Sequence, residues 1–152
     1  MSTRKLVLVG EEATLKFAAK FAALCQPPLM IHLQGDLGSG KTTFARGLIN
    51  KLGHSGNVKS PTFTLVESYE FEAMRLYHFD LYRLNDPLEL EYIGLRELVD
   101  EPDIISLIEW PERGGDELPN ADLIITLEYQ EESRVVDYHA NSTKGQTIID
   151  EL

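Results

Sequence analysis

Residues 35–42, GDLGSGKT, fit the phosphate-binding loop pattern G-x-x-x-x-G-K-[S/T] at every fixed position. The glycines would let successive backbone N–H groups face one concavity, to which the following helix adds the positive end of its dipole. Lys41 would then reach the β- and γ-phosphate oxygens of a nucleotide, and the Thr42 hydroxyl would be one ligand of its magnesium ion. The segment therefore predicts a nucleotide-binding loop.

The flanking residues have the local structure that this loop requires. Residues 28–33 form a short apolar run that predicts a buried strand leading into the loop. Residues 42–49 open a helix, because their apolar side chains recur at intervals of three and four. This order of strand, loop and helix favours a phosphate-binding loop over a chance glycine-rich turn.

Composition restricts the class of protein. The 152 residues are 43% apolar and 26% charged, which is typical of one globular domain, here residues 1–152. The apolar run at residues 6–9 is too short for a signal peptide or a membrane span, and the lone Cys25 cannot form an intrachain disulfide. We therefore expect a cytoplasmic protein that does not bind a membrane. The net charge of −11 argues against direct binding to nucleic acid.

Hydrophobic periodicity predicts the other elements. They are an edge strand around Leu6 and Leu8, a helix at residues 13–24, an antiparallel pair at 65–71 and 74–80, a helix beginning after 85–87, a buried strand at 103–109, and strand-like pieces at 123–129, 134–140 and 146–149. Leu88, Tyr92, Leu95 and Val99 keep a helical spacing that predicts one shared face. Because hairpins lack crossover helices, we expect an α/β fold: a single-domain P-loop NTPase with a mixed central β-sheet flanked by helices.

Two carboxylates follow apolar strand residues. A nucleotide loop needs a carboxylate that holds magnesium directly or through water, normally at the carboxyl end of a neighbouring strand. Residues 76–80 end in Asp80, and residues 104–109 end in Glu109. One would assist the metal and the other would position or activate the attacking water, and the sequence leaves that allocation open. Lys41, Asp80 and Glu109 are therefore the candidate catalytic residues.

A polar segment lies between the loop helix and the strand that ends in Asp80. It consists of Ser60, Pro61, Thr62, Phe63 and Thr64. In nucleotide switches, a segment at this position often senses the γ-phosphate through a hydroxyl group. An ordinary Ser-Pro turn is an equally good interpretation of these residues.

Missing motifs narrow the choice of nucleotide and reaction. The nearest match to a guanine-binding N/T-K-x-D element, TKGQ at residues 143–146, lacks the aspartate, which favours adenine. A small-molecule kinase would need a basic lid and an anion-binding acceptor site, whereas the arginines here are scattered. The four histidines lack metal-ligand spacing and are interpreted as core or surface residues: His32, His54, His78 and His139.

Four sequence blocks together closely resemble the bacterial TsaE family. They are GDLGSGKTT at residues 35–43, NVKSPTFTLVE at 57–67, YHFDLYRL at 77–84 and IEWPE at 108–112. The resemblance runs from about residue 11 to residue 119 and is loose after residue 121. It implies a P-loop ATPase required to make threonylcarbamoyladenosine in tRNAs that read codons starting with A. It also implies that the ATPase acts with TsaD and TsaB, which carry out the threonylcarbamoyl transfer.

The resemblance also implies roles for individual residues. The loop would bind ATP, Thr42 and Glu109 would bind magnesium, and Asp80 would lie in the active site. The expected nucleotide-binding residues are Gly35, Gly38, Ser39, Gly40, Lys41, Thr42, Thr43 and Trp110, and the expected metal ligands are Thr42, Glu109 and Asp80. Ser39 replaces the alanine of many members, a change between small residues that leaves the loop prediction intact.

These observations suggest a mechanism in which ATP hydrolysis resets the partner complex while residues 60–64 move. Hydrolysis by the isolated protein should be slow, because the sequence shows no obvious arginine finger. An acidic protein can serve tRNA modification if a partner holds the RNA, so we expect tRNA to be engaged only through the complex. A small-molecule kinase and a nucleotide-dependent regulatory scaffold are the alternatives.

Overall fold

A seven-stranded sheet organises residues 2–152, the part of the chain that the structure, a computed structural model, describes. Its strands are β1 (Thr3–Val9), β2 (Leu29–Gln34), β3 (Val66–Glu70), β4 (Arg75–Asp80), β5 (Ile104–Glu109), β6 (Leu123–Gln130) and β7 (Ser133–Ala140). The helices are α1 (Gly10–Leu24), α2 (Lys41–Leu52), α3 (Leu88–Tyr92), α4 (Leu95–Val99) and α5 (Thr143–Glu151). Short 3-10 turns at Pro111–Arg113 and Gly115–Glu117 follow β5.

The sheet is mixed, as the sequence predicts. Its strand order is β1-β7-β6-β2-β5-β4-β3, with β2 pairing in parallel with both β5 and β6, and β4 in parallel with β5. The outer pairs β1–β7, β6–β7 and β3–β4 are antiparallel. Every residue of β5 is buried, as expected for a parallel strand covered on both faces. The observed architecture confirms the predicted α/β fold class.

Parallel pairing brings three strand ends to one edge of the sheet. The carboxyl end of β2 leads into the loop at residues 35–40, and β5 and β4 end there in Glu109 and Asp80. In the register, Glu109 lies opposite Leu33 on one side and opposite Asp80 on the other. The predicted loop and both predicted carboxylates therefore meet at the same edge, where ligands bind in open α/β sheets.

Two apolar clusters fix the helices on opposite faces of the sheet. Helices α1 and α2 cover one face through Phe17, Phe21 and Phe44, whose neighbouring rings lie about 6 Å apart (6.1 Å for Phe17–Phe44 and 5.8 Å for Phe21–Phe44). At Gly47 a Cβ would lie 2.8 Å from the Ala18 Cβ, so glycine permits the close approach of the two helices. The other face packs against α3 and α4 through a cluster that includes Phe79 and Ile108. The first cluster holds α2 against the sheet, and with it the loop that precedes the helix.

The structure confirms most of the predicted elements. The strand before the loop, the helix after it, the antiparallel pair and the buried strand appear as β2, α2, β3–β4 and β5. The predicted edge strand is β1, which lies at the end of the strand order and pairs with β7. Among residues 2–152, no helix combines the length and the apolar character needed to cross a bilayer.

The prediction of a strand at residues 146–149 is wrong. These residues lie in α5, which begins after Ser142, whose hydroxyl accepts a hydrogen bond from the Gly145 N–H at 3.0 Å. Strand β1 already occupies the outer edge of β7, so the sheet offers no place there for another strand. Ile148 and Ile149 instead join the core from the helix.

The prediction of one apolar helix face between residues 88 and 99 is also wrong. Gly94 adopts a left-handed conformation with φ +73° and separates α3 from α4. Leu88 and Tyr92 are exposed, whereas Leu90 and Leu95 are buried. The break at Gly94 rotates the second helix, so that the buried face does not follow a single helical repeat.

Candidate functional site

The loop at residues 35–40 is shaped by two of its glycines. Gly40 caps α2 in a left-handed conformation with φ +105°. At Gly35, a Cβ would lie 2.5 Å from the Leu127 carbonyl oxygen, so a larger residue cannot be accommodated without a backbone shift. The first N–H groups of α2 have no intrahelical acceptor, and the helix dipole adds a partial positive charge at the same place. The loop therefore presents a concavity suited to an anion.

Lys41 is buried at the first position of α2. Its ammonium donates a hydrogen bond to the Gly35 carbonyl oxygen and lies 3.8 Å from the centroid of the Trp110 ring. Burial lowers the pKa of Lys41, and the negative charges of Glu109 and Asp80 oppose this shift. The lysine is thus held between a loop carbonyl and an aromatic face, with two carboxylates near enough to act on its charge.

Asp80 connects the strand end to the predicted switch-like segment. Its Oδ2 accepts hydrogen bonds from the hydroxyl groups of Ser60 and Thr62 at 2.6 and 3.1 Å. Its Oδ1 accepts from the backbone N–H of Tyr82 at 3.0 Å. Since a carboxylate that accepts several hydrogen bonds is held in one orientation, Asp80 fixes residues 60–62 against the end of β4.

The segment that contains Ser60, Pro61, Thr62, Phe63 and Thr64 is a tight turn. The N–H of Leu65 donates to the Pro61 carbonyl oxygen at 2.8 Å, and Thr64 donates to Glu67 at 3.0 Å. Phe63 is 84% exposed, with the Arg83 guanidinium 4.4 Å from its ring centroid. The hydroxyl groups of Ser60 and Thr62 therefore face the cleft edge at Asp80, while Phe63 projects outward.

Glu109 lies at the end of β5 and is 2% exposed. Its Oε2 is 2.5 Å from Nε2 of His78, which is fully buried on β4. Residues 78, 80 and 109 share the sheet face covered by α2, because alternate strand positions point to the same face and Leu76 and Leu107 lie in the cluster on that face. The carboxylate is therefore anchored from inside the protein and borders the cleft from its buried side.

Trp110, the only tryptophan, follows Glu109 in a left-handed backbone conformation with φ +56°. This conformation is costly for a residue other than glycine, by about 1–2 kcal/mol. Here it turns the chain into the 3-10 turn Pro111–Arg113 and places the indole over Lys41 and 5.0 Å from the Tyr82 ring centroid. The indole thus forms an aromatic wall beside the loop.

One cleft of about 400 Å³ brings most of the predicted residues together. Its lining includes the predicted residues Gly38, Gly40, Lys41, Thr42, Thr43, Ser60, Thr62, Asp80, Glu109 and Trp110. Five others do not line it: Gly35, Ser39, Pro61, Phe63 and Thr64. Ser39 is buried, and within the described part of the chain its hydroxyl has no hydrogen-bond partner. The cleft therefore combines a lysine, hydroxyl groups and carboxylates.

Leu37 of the loop and three residues outside it belong to this region but were not predicted as site residues. Tyr82 and Arg134 line the cleft, and His78 contacts Glu109 from behind. Arg134 comes from β7, and a Cβ on Gly40 would lie 3.5 Å from its Nε. His78 lies two residues before Asp80 on the same strand, so period-two alternation was the signal that could have placed it on the same face. No local pattern connects Arg134 with the loop.

Comparisons with known proteins agree with this architecture. The model of the family described as threonylcarbamoyl adenosine biosynthesis protein TsaE matches residues 8–136, which extends the resemblance through β6 and into β7. A Haemophilus influenzae relative, tRNA threonylcarbamoyladenosine biosynthesis protein TsaE, is 45% identical over 144 residues, covering 91% of this chain and 90% of that protein. The Bacillus subtilis protein of the same name is 34% identical over 153 residues, covering 100% and 95%.

A solved structure shows the same fold. The crystal structure of Bacillus subtilis YdiB matches with a TM-score of 0.84 at 29% identity, covering 99% of this chain and 93% of that one. The family match covers most of the sequence, and the two relatives are similar over nearly their whole length. The chain therefore belongs to the TsaE family of threonylcarbamoyl adenosine biosynthesis proteins.

Proposed function

We propose that this chain is the ATP-binding and magnesium-dependent ATP-hydrolysing component of the machinery that makes threonylcarbamoyladenosine in tRNA. One observation supports this most directly: the cleft places Lys41 of the loop beside the carboxylates of Asp80 and Glu109. A lysine for phosphate oxygens and carboxylates for a metal are the groups that phosphoryl transfer requires. The family supplies the biosynthetic context, which a cytoplasmic protein would serve.

Nucleotide binding is assigned to the loop and its neighbours. Backbone N–H groups of the loop would hold the phosphates, and Lys41 would exchange its hydrogen bond with the Gly35 carbonyl for phosphate oxygens. Trp110 would contact the bound nucleotide from the side of Lys41. The residues proposed to bind ATP are Gly35, Gly38, Ser39, Gly40, Lys41, Thr42, Thr43 and Trp110.

The residues at the cleft fit a magnesium ion. The oxygen ligands that Mg²⁺ prefers are available from the exposed Thr42 and from the carboxylates of Glu109 and Asp80. Asp80 already accepts three hydrogen bonds, whereas those of Glu109 among residues 2–152 engage only Oε2. We therefore assign the closer metal contact to Glu109 and the anchoring of residues 60–62 to Asp80. When bound, the ion would neutralise negative charge developing on the phosphates.

The hydrogen bonds of Asp80 suggest how the nucleotide state could reach a partner. Ser60 and Thr62 line the cleft, whereas Phe63, the next residue in the chain, is exposed on the outer surface. A change at the phosphates would therefore alter the residues that hold Phe63 in place. We propose that this segment moves during hydrolysis and resets a complex with TsaD and TsaB. The net charge of −11 supports contact with tRNA only through those partners.

The test is ATP hydrolysis by the wild-type protein and the Lys41→Ala variant, each alone and with purified TsaB and TsaD. We expect slow hydrolysis alone, stimulation by the partners, and loss of at least about 100-fold with Lys41→Ala, because each 1.36 kcal/mol of lost transition-state stabilisation lowers the rate tenfold. Lys51→Ala is the matched control, since Lys51 lies exposed in the last turn of the same helix. The control should hydrolyse ATP at the wild-type rate.

The outcomes separate the three candidate functions. Partner stimulation that disappears with Lys41→Ala supports the proposed ATPase. ATP consumption that depends on an added metabolite, and not on TsaB and TsaD, would instead identify a small-molecule kinase. Tight ATP binding without turnover in any mixture would leave a nucleotide-dependent scaffold and overturn the hydrolytic mechanism.

A further inference from the structure

The contact between His78 and Glu109 is unusual for its complete burial. His78 is 0% exposed, Glu109 is 2% exposed, and their Nε2 and Oε2 atoms are 2.5 Å apart. The other ring nitrogen, Nδ1, is buried and has no hydrogen-bond partner among residues 2–152. A histidine that only filled space would not require a carboxylate, and an apolar side chain of similar size would avoid the unpaired nitrogen. Packing alone therefore does not explain the contact between His78 and Glu109.

The geometry assigns donor and acceptor. A carboxylate can only accept hydrogen bonds, so Nε2 of His78 carries a hydrogen and donates a hydrogen bond to Oε2 of Glu109. Nδ1 has no hydrogen-bond partner among residues 2–152, so the contact through Nε2 is the polar contact of the ring in that part of the chain. This is the donor arrangement by which a buried histidine orients a carboxylate.

The consequence concerns the second carboxylate oxygen. With Oε2 held by His78, rotation of the carboxylate is restricted, and Oε1 is the oxygen left for the cleft that Glu109 lines. His78 itself does not line this cleft and stands behind Glu109. It can therefore act on bound groups only through the carboxylate.

We propose that His78 is a positioning residue, which fixes Glu109 so that Oε1 faces the cation bound with the nucleotide. This inference rests on the proposed function, because it assumes that Glu109 contacts that cation. Groups that orient metal-binding carboxylates are worth about 10- to 100-fold in metal affinity or activity. The sequence indicates a core or surface residue at His78; under this proposal His78 contributes to the cation site.

Three substitutions of His78 separate positioning from packing. His78→Gln keeps an amide donor near the place of Nε2, whereas the shorter His78→Asn places its amide nearer Nδ1 and cannot reach Glu109. His78→Phe keeps the ring shape and removes the donor, which covers the case in which the asparagine variant does not fold. Thermal unfolding identifies which variants are folded. The Glu109→Gln and His78→Phe/Glu109→Gln proteins complete a double-mutant cycle.

The main readout is binding and does not depend on turnover. Calorimetry gives the affinity for ADP with and without Mg²⁺, and the Mg²⁺ concentration for half-maximal hydrolysis is measured alongside. We expect His78→Phe and His78→Asn to raise the Mg²⁺ requirement by about 10- to 100-fold while the Mg²⁺-free ADP affinity stays within about twofold. His78→Gln should recover most of the loss, and His78→Phe should add little to Glu109→Gln.

Each result decides the proposal. If folded His78→Phe or His78→Asn keeps the wild-type Mg²⁺ requirement, or if His78→Gln loses as much as His78→Phe, positioning is overturned while the ATPase assignment stands. Full additivity in the double-mutant cycle would also overturn it, since His78 would then act independently of Glu109. If the wild-type protein binds ADP no more tightly with Mg²⁺ and does not hydrolyse ATP, the proposed function fails and this inference fails with it.

Discussion

The two ends of the β4–β5 pair differ in whether their carboxylates form salt bridges. At the amino ends, Arg75 donates to both carboxylate oxygens of Asp103 at 3.0 and 3.1 Å. At the carboxyl ends, Asp80 and Glu109 lie opposite each other in the register. Among residues 2–152, neither forms a salt bridge with a lysine or arginine. The β4–β5 pair thus has a salt-bridged carboxylate at one end and, at the other, two adjacent carboxylates that form no salt bridge with a lysine or arginine of residues 2–152.

The difference shows where stability and function diverge. In a bidentate Arg–Asp pair at the surface the two charges neutralise each other, so the pair needs no further ligand. Two adjacent carboxylates repel each other, and a protein keeps them together at a cost that a bound cation can offset. Hydroxyl groups and the Tyr82 N–H hold Asp80, and His78 holds Glu109, which orients both carboxylates without adding an arginine or lysine salt bridge. This arrangement supports the proposal that a cation binds at the carboxyl ends.

The largest effect is expected from Glu109→Gln. This change removes the charge of one of the two adjacent carboxylates but keeps the side-chain shape. We expect Mg²⁺-dependent hydrolysis to fall by about 100-fold or more, since the loss of metal-assisted charge stabilisation amounts to several kcal/mol. Steady-state hydrolysis over a range of Mg²⁺ concentrations measures this loss.

Glu101→Gln serves as the control for that experiment. Glu101 is an exposed carboxylate just before β5, at the opposite end of the sheet from the cleft. Its neutralisation should leave hydrolysis unchanged. Equal losses in the two variants would show that the total negative charge matters and not the position of the carboxylate. The difference between the two strand ends would then not explain hydrolysis.

A smaller effect is expected from Thr62→Val. Valine keeps the shape of threonine and removes the hydroxyl that donates to Asp80 at 3.1 Å. A hydrogen bond of this kind contributes about 1 kcal/mol, so amide hydrogen exchange in residues 60–65 should accelerate by about fivefold. Stimulation of hydrolysis by TsaB and TsaD should fall by a similar factor if this segment transmits the nucleotide state.

Thr62→Ser tests whether the hydroxyl is responsible. Serine keeps the donor and loses only the methyl group, so exchange and partner stimulation should stay close to wild type. Should valine and serine behave alike, with normal coupling in both, Asp80 would not hold this segment through Thr62, and the assignment of a moving element here would be withdrawn.

The sequence predicted the elements whose signals are local. The loop, β2 and α2 follow from a contiguous motif, and Asp80 and Glu109 follow from their positions after apolar runs. The meeting of the two carboxylates required only that their strands be parallel neighbours, and the register confirms it. Local patterns therefore predicted much of the composition of the cleft.

Contacts between distant elements could not be predicted in the same way. The bond between His78 and Glu109 depends on the register of β4 against β5, and Arg134 reaches Gly40 only because β6 and β7 fold beside β2. The strand predicted at residues 146–149 failed for a related reason, because β1 had taken the edge that it would have needed. Pairing order is a property of the whole chain, which a window of neighbouring residues does not contain.

The smallest effect is expected at the neutralised end of the strands. The hydrogen bonds from Arg75 hold the pKa of Asp103 below its ordinary value, and its folded pKa is therefore lower than its unfolded pKa. The contribution of Asp103 to stability is present above the unfolded pKa, near 3.8, and is lost as the pH falls through the lowered folded value. Asp103→Asn should consequently unfold at a slightly lower temperature than wild type at pH 7, and the difference should shrink as the pH falls below about 4.

Thermal unfolding at several pH values, with and without high salt, measures the contribution of this pair. Because Arg75 and Asp103 are partly exposed, salt should reduce the difference between wild type and Asp103→Asn. ATP hydrolysis should be unaffected, since the pair lies at the far end of both strands from the cleft. A difference in unfolding temperature that grew towards low pH would contradict the assignment of Asp103 as the stabilised anion. A loss of hydrolysis would show that the two ends of the β4–β5 pair are coupled, and the separation of stability from function between them would no longer hold.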